Sequence, residues 1–117
     1  MKAAIRFLAR LSDGVLVLGD MGELGDAATA AHIDIANFAK SYGIENFYVC
    51  GTHSGDYASG FGKSIRRYES QEAIARAIIS DLKHEKISKK STILIKGSRS
   101  SKMEDVISHL QKHKENH

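Results

Sequence analysis

The stretch that decides the fold is VLVLGDMGELG, residues Val15–Gly25. Its first four residues are apolar without polar alternation, a pattern typical of a strand buried on both faces in a helix-covered parallel sheet. The strand stops at Gly19, and a glycine-rich loop follows that carries Asp20 and Glu23. A helical pattern begins after the loop, with Asp26 as its predicted N-cap. Ligands of open α/β sheets bind at the carboxyl ends of strands, so this loop is the first candidate site.

The rest of the chain alternates apolar periodicities of helices and strands. In chain order, the predicted elements are a helix over 2–11, a strand over Val15–Gly19, a helix from Ala27 to a Gly43 cap, a strand over Asn46–Cys50, at most a weak helix over Ser54–Phe61, an edge strand over Ile65–Tyr68, a helix capped by Ser70, a polar connection over Ile87–Lys90, a strand over Thr92–Ile95 and a last helix with Met103, Val106, Ile107 and Leu110 inward. This alternation predicts an α/β fold: a Rossmann-like, doubly wound, mostly parallel sheet of about four to five strands flanked by helices.

The order of the strands decides which loops meet. In the common half-Rossmann order 3-2-1-4 the first and fourth strands are neighbours, and the topological switch point lies between them. That order places Asp20 and Glu23 opposite Lys96, Ser98 and Arg99. Two motifs that are remote in sequence are therefore expected to share one crevice.

Length and composition narrow the class of protein. The 117 residues fit one domain over 1–117, with 42% hydrophobic and 26% charged residues, as in soluble globular proteins. The net charge of +3 comes without a basic stripe interleaved with aromatics, so no nucleic-acid partner is predicted. A single cysteine excludes an intrachain disulfide and suits a reducing, cytoplasmic compartment. No apolar run reaches the roughly 20 residues of a membrane helix, so no membrane insertion is predicted.

The charged groups of the crevice admit several chemistries. Asp20 and Glu23 suit an ammonium, a ribose hydroxyl or a metal, or they only cap and solvate the loop. Two carboxylates without a nearby histidine or cysteine ligand set fall short of a metal cage, so no metal is predicted. Lys96, Ser98 and Arg99 offer a point cation, a hydroxyl and a bidentate fork suited to a carboxylate or phosphate. The alternative for these three is a salt-bridge network or a solvated turn.

The histidines and the single cysteine are expected to lie in different environments. His32 lies one helical turn from apolar neighbours and faces partly inward, either as a hydrogen-bonded core residue or as a group that orients the Asp20 loop. Cys50 is expected to be buried and inert, and Thr52–Ser54 is expected to be a structural turn. Three histidines spaced four apart near the end of the chain are expected on the surface: His109, His113 and His117.

Two glycine patterns approach nucleotide-binding motifs without matching them. Gly19, Gly22 and Gly25 are spaced G-x-x-G-x-x-G, whereas the dinucleotide fingerprint is G-x-G-x-x-G. Gly62–Ser64 mimics the end of a phosphate loop, but a strand-like segment follows it instead of a helix N-terminus. The sequence therefore predicts no Mg-ATP site on this chain.

Two motifs together carry a family resemblance. GDMGELG at Gly19–Gly25 followed by His32, with KGSRSSKME downstream at Lys96–Glu104, resembles the carboxyl-terminal domain of a Mur ligase, and the similarity covers nearly the whole chain. Such ligases have three domains. The first holds the UDP-linked substrate, and the central one carries the phosphate loop and binds ATP with Mg²⁺. The resemblance makes this chain the third, Rossmann-like domain, which receives the incoming amino acid or dipeptide and closes over the nucleotide.

The resemblance also implies an activity. The carboxylate of UDP-N-acetylmuramoyl-tripeptide becomes an acyl phosphate at the expense of ATP, and the amine of D-alanyl-D-alanine attacks it to give a peptidoglycan precursor. The covalently linked central domain is the implied partner, and the isolated chain is expected to be inactive. No catalytic residue is assigned. The interdomain-site residues implied for binding substrate and nucleotide are Asp20, Glu23, His32, Lys96, Ser98 and Arg99.

A different class of function remains open at this point. The same strand–loop–helix pattern also suits a free-standing Rossmann-like domain that binds a small ligand or regulates a partner. A non-enzymatic interaction module is a third, weaker interpretation.

Overall fold

The computed structural model describes residues 1–22 and 24–115. Four strands alternate with five α-helices, and a short 3₁₀ turn follows the first strand and the last. The elements in chain order are α1 Lys2–Ala9, β1 Gly14–Leu18, α2 Ala28–Ser41, β2 Asn46–Cys50, α3 Ser54–Phe61, β3 Arg66–Tyr68, α4 Gln71–Lys83, β4 Thr92–Lys96 and α5 Glu104–Glu115, with the 3₁₀ turns at Gly25–Ala27 and Arg99–Ser101. Within the described residues, no helix is long and apolar enough to cross a membrane.

The four strands form one parallel sheet in the order β3-β2-β1-β4, which confirms the predicted fold class and strand order. The central strand β1 pairs on both sides, with Leu16 opposite Phe47 of β2 and Leu94 of β4. Residues 15–18 are fully buried, because helices cover both faces of the sheet. All four strands end at the same edge, where the candidate loops lie.

The apolar side chains divide into two layers, one on each face of the sheet. Successive β1 side chains point alternately into the two layers. Leu16 and Leu18 pack against α1, α2 and α3, whereas Val15 and Val17 pack against α4 and α5. The alternation follows from the period of two along a strand. Both layers therefore anchor β1, and its carboxyl end is held rigidly.

Several local predictions differ from the structure. Asp26 does not cap α2; it lies in the 3₁₀ turn, and the N-cap position is occupied by Ala27 without a side-chain hydrogen bond. Residues 54–61 form a regular helix with Tyr57 and Phe61 buried, because tertiary packing outweighs the low helix propensity of this serine- and glycine-rich segment. Ile107 was expected inward and is 43% exposed. Ser70 caps α4 as predicted, accepting a hydrogen bond from the Ala73 amide at 3.1 Å.

Candidate functional site

Backbone hydrogen bonds join the ends of β1 and β4. The Gly19 amide donates to the Lys96 carbonyl at 3.0 Å, and the Ser98 amide donates to the Asp20 carbonyl at 2.8 Å. A Cβ on Gly22 would lie 3.0 Å from the Ser98 Cβ, so the two loops are in van der Waals contact. The loops after β1 and β4 therefore meet at the sheet edge as predicted, through contacts between their backbones.

Close packing explains the glycine that ends each strand. A Cβ on Gly19 would lie 2.5 Å from the Met103 sulfur, and a Cβ on Gly97 would overlap with Ser101 Oγ. Met103 is buried beneath both loops. The glycines therefore let the two strand ends and the start of α5 approach one another, which a side chain at either position would prevent.

The Asp20 carboxylate does not point at the β4 loop. Its two oxygens accept hydrogen bonds from the backbone amides of Thr52, at 3.0 Å, and His53, at 2.8 Å. These amides open the turn between β2 and α3, so the carboxylate ties that turn to the end of β1. The expectation that Asp20 faces Lys96 and Arg99 across the crevice is wrong for its side chain, because the amides of the β2 turn are strong donors at hydrogen-bonding distance.

His32 is fully buried beneath the Asp20 loop, deeper than the partly inward position predicted. Its Nε2 accepts a hydrogen bond from the Met21 amide at 3.0 Å, and its Nδ1 lies 2.5 Å from the Ala28 carbonyl. A carbonyl only accepts, so Nδ1 carries the proton and the ring is neutral. The imidazole thus connects α2 to the loop, as an orienting group does.

A second histidine, His53, was predicted to lie in a structural turn and completes this cluster. The His53 ring stacks on His32 with centroids 4.2 Å apart, and its Nδ1 lies 2.7 Å from an Asp56 oxygen. This hydrogen bond lowers the pKa of Asp56. Only its position in the sequence could have identified His53 as a site residue, because it follows the carboxyl end of β2 just as Asp20 follows that of β1.

Tyr57 supports the same loop from α3. Its hydroxyl donates to the Gly19 carbonyl at 2.8 Å, and its ring packs edge-on against His32. Burial is the main cause that raises the pKa of Tyr57, so the hydroxyl stays protonated and remains a donor. The end of β1 is therefore fixed by neutral hydrogen bonds beneath it.

The basic residues of the β4 loop line two separate cavities. Arg99 and Ser98 border a cavity of about 610 Å³ together with Gly22 and Ser100. Lys96 borders another of about 370 Å³, beside Met21 and Met103. The structure brings Ser98 and Arg99 to the Asp20 loop at Gly22, and it places Lys96 in a different cavity, which Met21 of the same loop also borders. Glu23 lies outside the described residues.

The Asp20, His32 and His53 side chains come close enough to raise the question of a metal. One donor atom of each lies within 4.8 Å of the others, so the expectation that no histidine accompanies the carboxylate is wrong. The two imidazole rings are stacked with their planes only 16° apart, and both ring nitrogens of His32 are already engaged, one by the Met21 amide and one by the Ala28 carbonyl. Because zinc binds along a lone pair at about 2.0–2.1 Å, one ion cannot satisfy both stacked rings. In this arrangement His32 stacks on His53 and the His53 amide donates to Asp20, which is a packed polar cluster and does not fit a metal cage.

The segment that mimics a phosphate loop, Gly62–Ser64, is not followed by a helix. Gly62 is the C-cap of α3, with φ of 103°, and the chain continues through a turn into β3. A phosphate cradle needs backbone amides at a helix N-terminus, which this turn does not present. These residues do not fit Mg-ATP.

The His53–Asp56 pair gives a pH-dependent prediction. Because the pKa of Asp56 is lowered in the folded state, the stabilisation it contributes is present above its unfolded pKa of about 3.9 and is lost as the pH falls through the folded value. We expect the unfolding free energy of the wild type to exceed that of Asp56→Asn down to about pH 4 and to converge with it below. Urea denaturation of both proteins across this range checks the prediction; a constant difference down to pH 2 would contradict it.

The fold and site together define a doubly wound α/β domain with a polar crevice at the carboxyl ends of its central strands. Its relatives are ligases: the chain is 38% identical over 114 residues to UDP-N-acetylmuramoyl-tripeptide–D-alanyl-D-alanine ligase of Escherichia coli strain K12. No family model matches the chain. The alignment covers 95% of this chain and 24% of the relative, so the chain spans about a quarter of the length of the enzyme that it matches.

Solved structures of the same ligases show the same fold. A crystal structure of MurF from Acinetobacter baumannii superposes with a TM-score of 0.83 at 23% identity, over 96% of this chain and 24% of that one. MurF ligase from Thermotoga maritima, solved in complex with ADP, superposes with a TM-score of 0.76 at 23% identity, over 97% of this chain and 25% of that one. The resemblance to Mur ligases carried by the two motifs is confirmed as homology to a quarter-length region of these enzymes.

Proposed function

We propose that this chain is the third, carboxyl-terminal domain of an ATP-dependent ligase that adds D-alanyl-D-alanine to UDP-N-acetylmuramoyl-tripeptide. The observation that carries the proposal is the match over 95% of the chain to a ligase of that name. The joined β1 and β4 loops support it, because they form a crevice at the topological switch point where such a domain meets a ligand. In this role the domain closes over nucleotide and substrates in the cytoplasm.

ATP and Mg²⁺ belong in this proposal to a covalently linked central domain. The relative solved with ADP supports a nucleotide in the complete enzyme, whereas the turn at Gly62–Ser64 does not fit a phosphate cradle. This domain supplies charged and polar groups to the interdomain site. The residues proposed for it remain Asp20, Glu23, His32, Lys96, Ser98 and Arg99.

The geometry suggests a division of roles among these residues. Ser98 and Arg99 line an open cavity and present a hydroxyl and a guanidinium fork, which suit the carboxylate of the dipeptide or a phosphate oxygen. Asp20 and His32 are already committed to backbone hydrogen bonds, so their role is to hold the loop in place. Asp20 retains further lone pairs for an ammonium or a ribose hydroxyl.

Replacing Arg99 by alanine in the complete ligase tests the crevice. Arg99 is exposed, so its loss should leave the fold intact while removing a charge-assisted hydrogen bond worth about 1.5–3 kcal/mol. We expect kcat/KM for the dipeptide to fall roughly tenfold or more. The matched control is Arg10→Ala, which removes an exposed arginine at the end of α1, ahead of the amino end of β1. Equal kinetics for the two variants would exclude Arg99 from the site.

The alternative of a free-standing ligand-binding domain makes a different prediction. It requires the chain to bind a small ligand by itself, with no ATP-dependent chemistry in any longer protein that contains it. An upstream phosphate loop of the Gly-Lys-Thr type in the same reading frame would favour the ligase.

A further inference from the structure

We propose that His53 is the general base that takes the proton from the amine of the incoming dipeptide, an inference that rests on the proposed ligase function. His53 lies at the carboxyl end of β2, and its backbone amide donates to Asp20. An ammonium has no lone pair, so the nucleophile must lose a proton before it can attack. A base is therefore needed where the amine binds, and the proposed site lies at the carboxyl ends of the strands, where His53 also lies.

The hydrogen bond to Asp56 fixes the tautomer of His53. The two groups are 2.7 Å apart, and the lowered pKa of Asp56 keeps its carboxyl ionised at neutral pH. An ionised carboxylate only accepts hydrogen bonds, so Nδ1 of His53 is the donor. The lone pair of the neutral ring is consequently on Nε2, with Asp56 as the orienting group of a carboxylate–histidine dyad.

The Nε2 atom of His53 is open to a substrate. It has no hydrogen-bond partner among the described residues, where every buried side-chain nitrogen and oxygen has one, so this atom is reached by solvent. The His53 side chain is 24% exposed.

The other polar groups of the cluster are less suited to the task. Both ring nitrogens of His32 are committed, one to the Met21 amide and one to the Ala28 carbonyl. Both oxygens of Asp20 already accept backbone hydrogen bonds, and a carboxylate is a weak base. Lys96 presents an ammonium without a lone pair. His53 is the group that combines a free lone pair with an orienting partner.

Nε2 of His53 takes one proton from the dipeptide ammonium and becomes imidazolium. The freed lone pair on nitrogen attacks the carbonyl carbon of the acyl phosphate, and a C–N bond forms. The C–O bond to the phosphoryl group then breaks, with its electron pair leaving on inorganic phosphate, and the remaining excess proton on nitrogen passes to that phosphate or to water.

Comparing two nucleophiles distinguishes a role of His53 as general base from a purely structural role. In the complete ligase, His53→Gln should lower the rate with D-alanyl-D-alanine about a hundredfold or more, the contribution typical of a general base. Hydroxylamine is unprotonated at neutral pH and needs no base, so hydroxamate formation should stay within about twofold of wild type. Asp56→Asn should show the same selectivity with a smaller loss. The matched control is His84→Gln, an exposed histidine at the end of α4, which should change neither reaction.

Each outcome decides between the two roles. An equal loss with both nucleophiles in His53→Gln would show a structural role and overturn the proposal, as would a full rate with the dipeptide. If the glutamine variant fails to fold, Asp56→Asn decides by the same ratio of rates. Absence of any acyl phosphate or ligated product with the wild-type enzyme would instead overturn the proposed function, and with it this inference.

Discussion

Replacing Gly60 by alanine should destabilise the domain by about 2 kcal/mol or more, at the upper end of the usual cost of overpacking. Gly60 is buried in α3, where a Cβ would lie 2.8 Å from the Ala36 Cβ and even closer to the Ile33 carbonyl oxygen of α2. Backbone atoms cannot move aside as a flexible side chain can, so the two helices must separate. The gain of about 1 kcal/mol in helix propensity on replacing glycine does not offset this clash.

A matched glycine in the same helix provides the control. A Cβ on Gly55 would meet only the end of the Arg67 side chain, at 3.4 Å, so Gly55→Ala should be neutral or stabilise by up to about 1 kcal/mol. Thermal unfolding followed by circular dichroism should place the melting temperature of Gly60→Ala roughly 10 °C or more below that of Gly55→Ala. Equal melting temperatures would contradict the packing of α3 on α2.

The consequence of this contact for function is specific. Helix α2 carries His32, and α3 follows His53 and carries Tyr57, so separating the helices disturbs the stacked rings beneath the Asp20 loop. Because His32 and Tyr57 hydrogen-bond to the backbone of residues 19–21, the loop loses its support before the sheet does. The tight helix contact is therefore part of how the sequence positions the site.

The second large expected effect is the absence of ATPase and ligase activity in the isolated chain. We expect the purified 117-residue chain to fold yet to show no ATPase and no ligase activity. Its crevice is open, and exposed ion pairs contribute only about 0–1 kcal/mol each, too little to offset the several kcal/mol lost in immobilising a small zwitterion. Closure against an ATP-binding domain would exclude water and strengthen the same contacts.

Phosphate release, measured with the folded state verified by amide dispersion in NMR spectra, checks this expectation. Mass spectrometry of a mixture with ATP, UDP-N-acetylmuramoyl-tripeptide and dipeptide provides the second readout. Turnover of ATP by the chain, with contaminating activity removed by an additional purification step, would contradict it.

The core of the fold could be predicted from short-range patterns. The uninterrupted apolar run in β1 can be buried only in a sheet covered on both faces, and the alternation of elements then favours the observed parallel order. The glycines after β1 and β4 marked the two loops that meet, since both sit where strands end against Met103. These features depend on local sequence and general rules of topology.

The details of the site depended on contacts that local patterns do not encode. Asp20 binds amides 32 and 33 residues away, and whether it turned to β2 or to β4 depended on the geometry of the β2 turn. His53 was overlooked because its role rests on stacking with His32 and on Asp56 one helical turn later. Helix α3 was underestimated because Gly60 reads as a helix breaker, whereas its missing side chain is what allows α3 to pack on α2.

We propose that this chain completes a ligase whose acceptor dipeptide is held by Arg99, in the crevice between the β1 and β4 loops. The most direct measurement is the mass of the product formed by the complete protein from ATP, UDP-N-acetylmuramoyl-tripeptide and D-alanyl-D-alanine, compared between wild type and Arg99→Ala. We expect the wild type to add one dipeptide unit to the tripeptide with stoichiometric release of phosphate. We expect the variant to form this product at roughly one tenth of the wild-type rate or below. No dipeptide adduct with the wild type, or equal rates for the two proteins, would contradict the account.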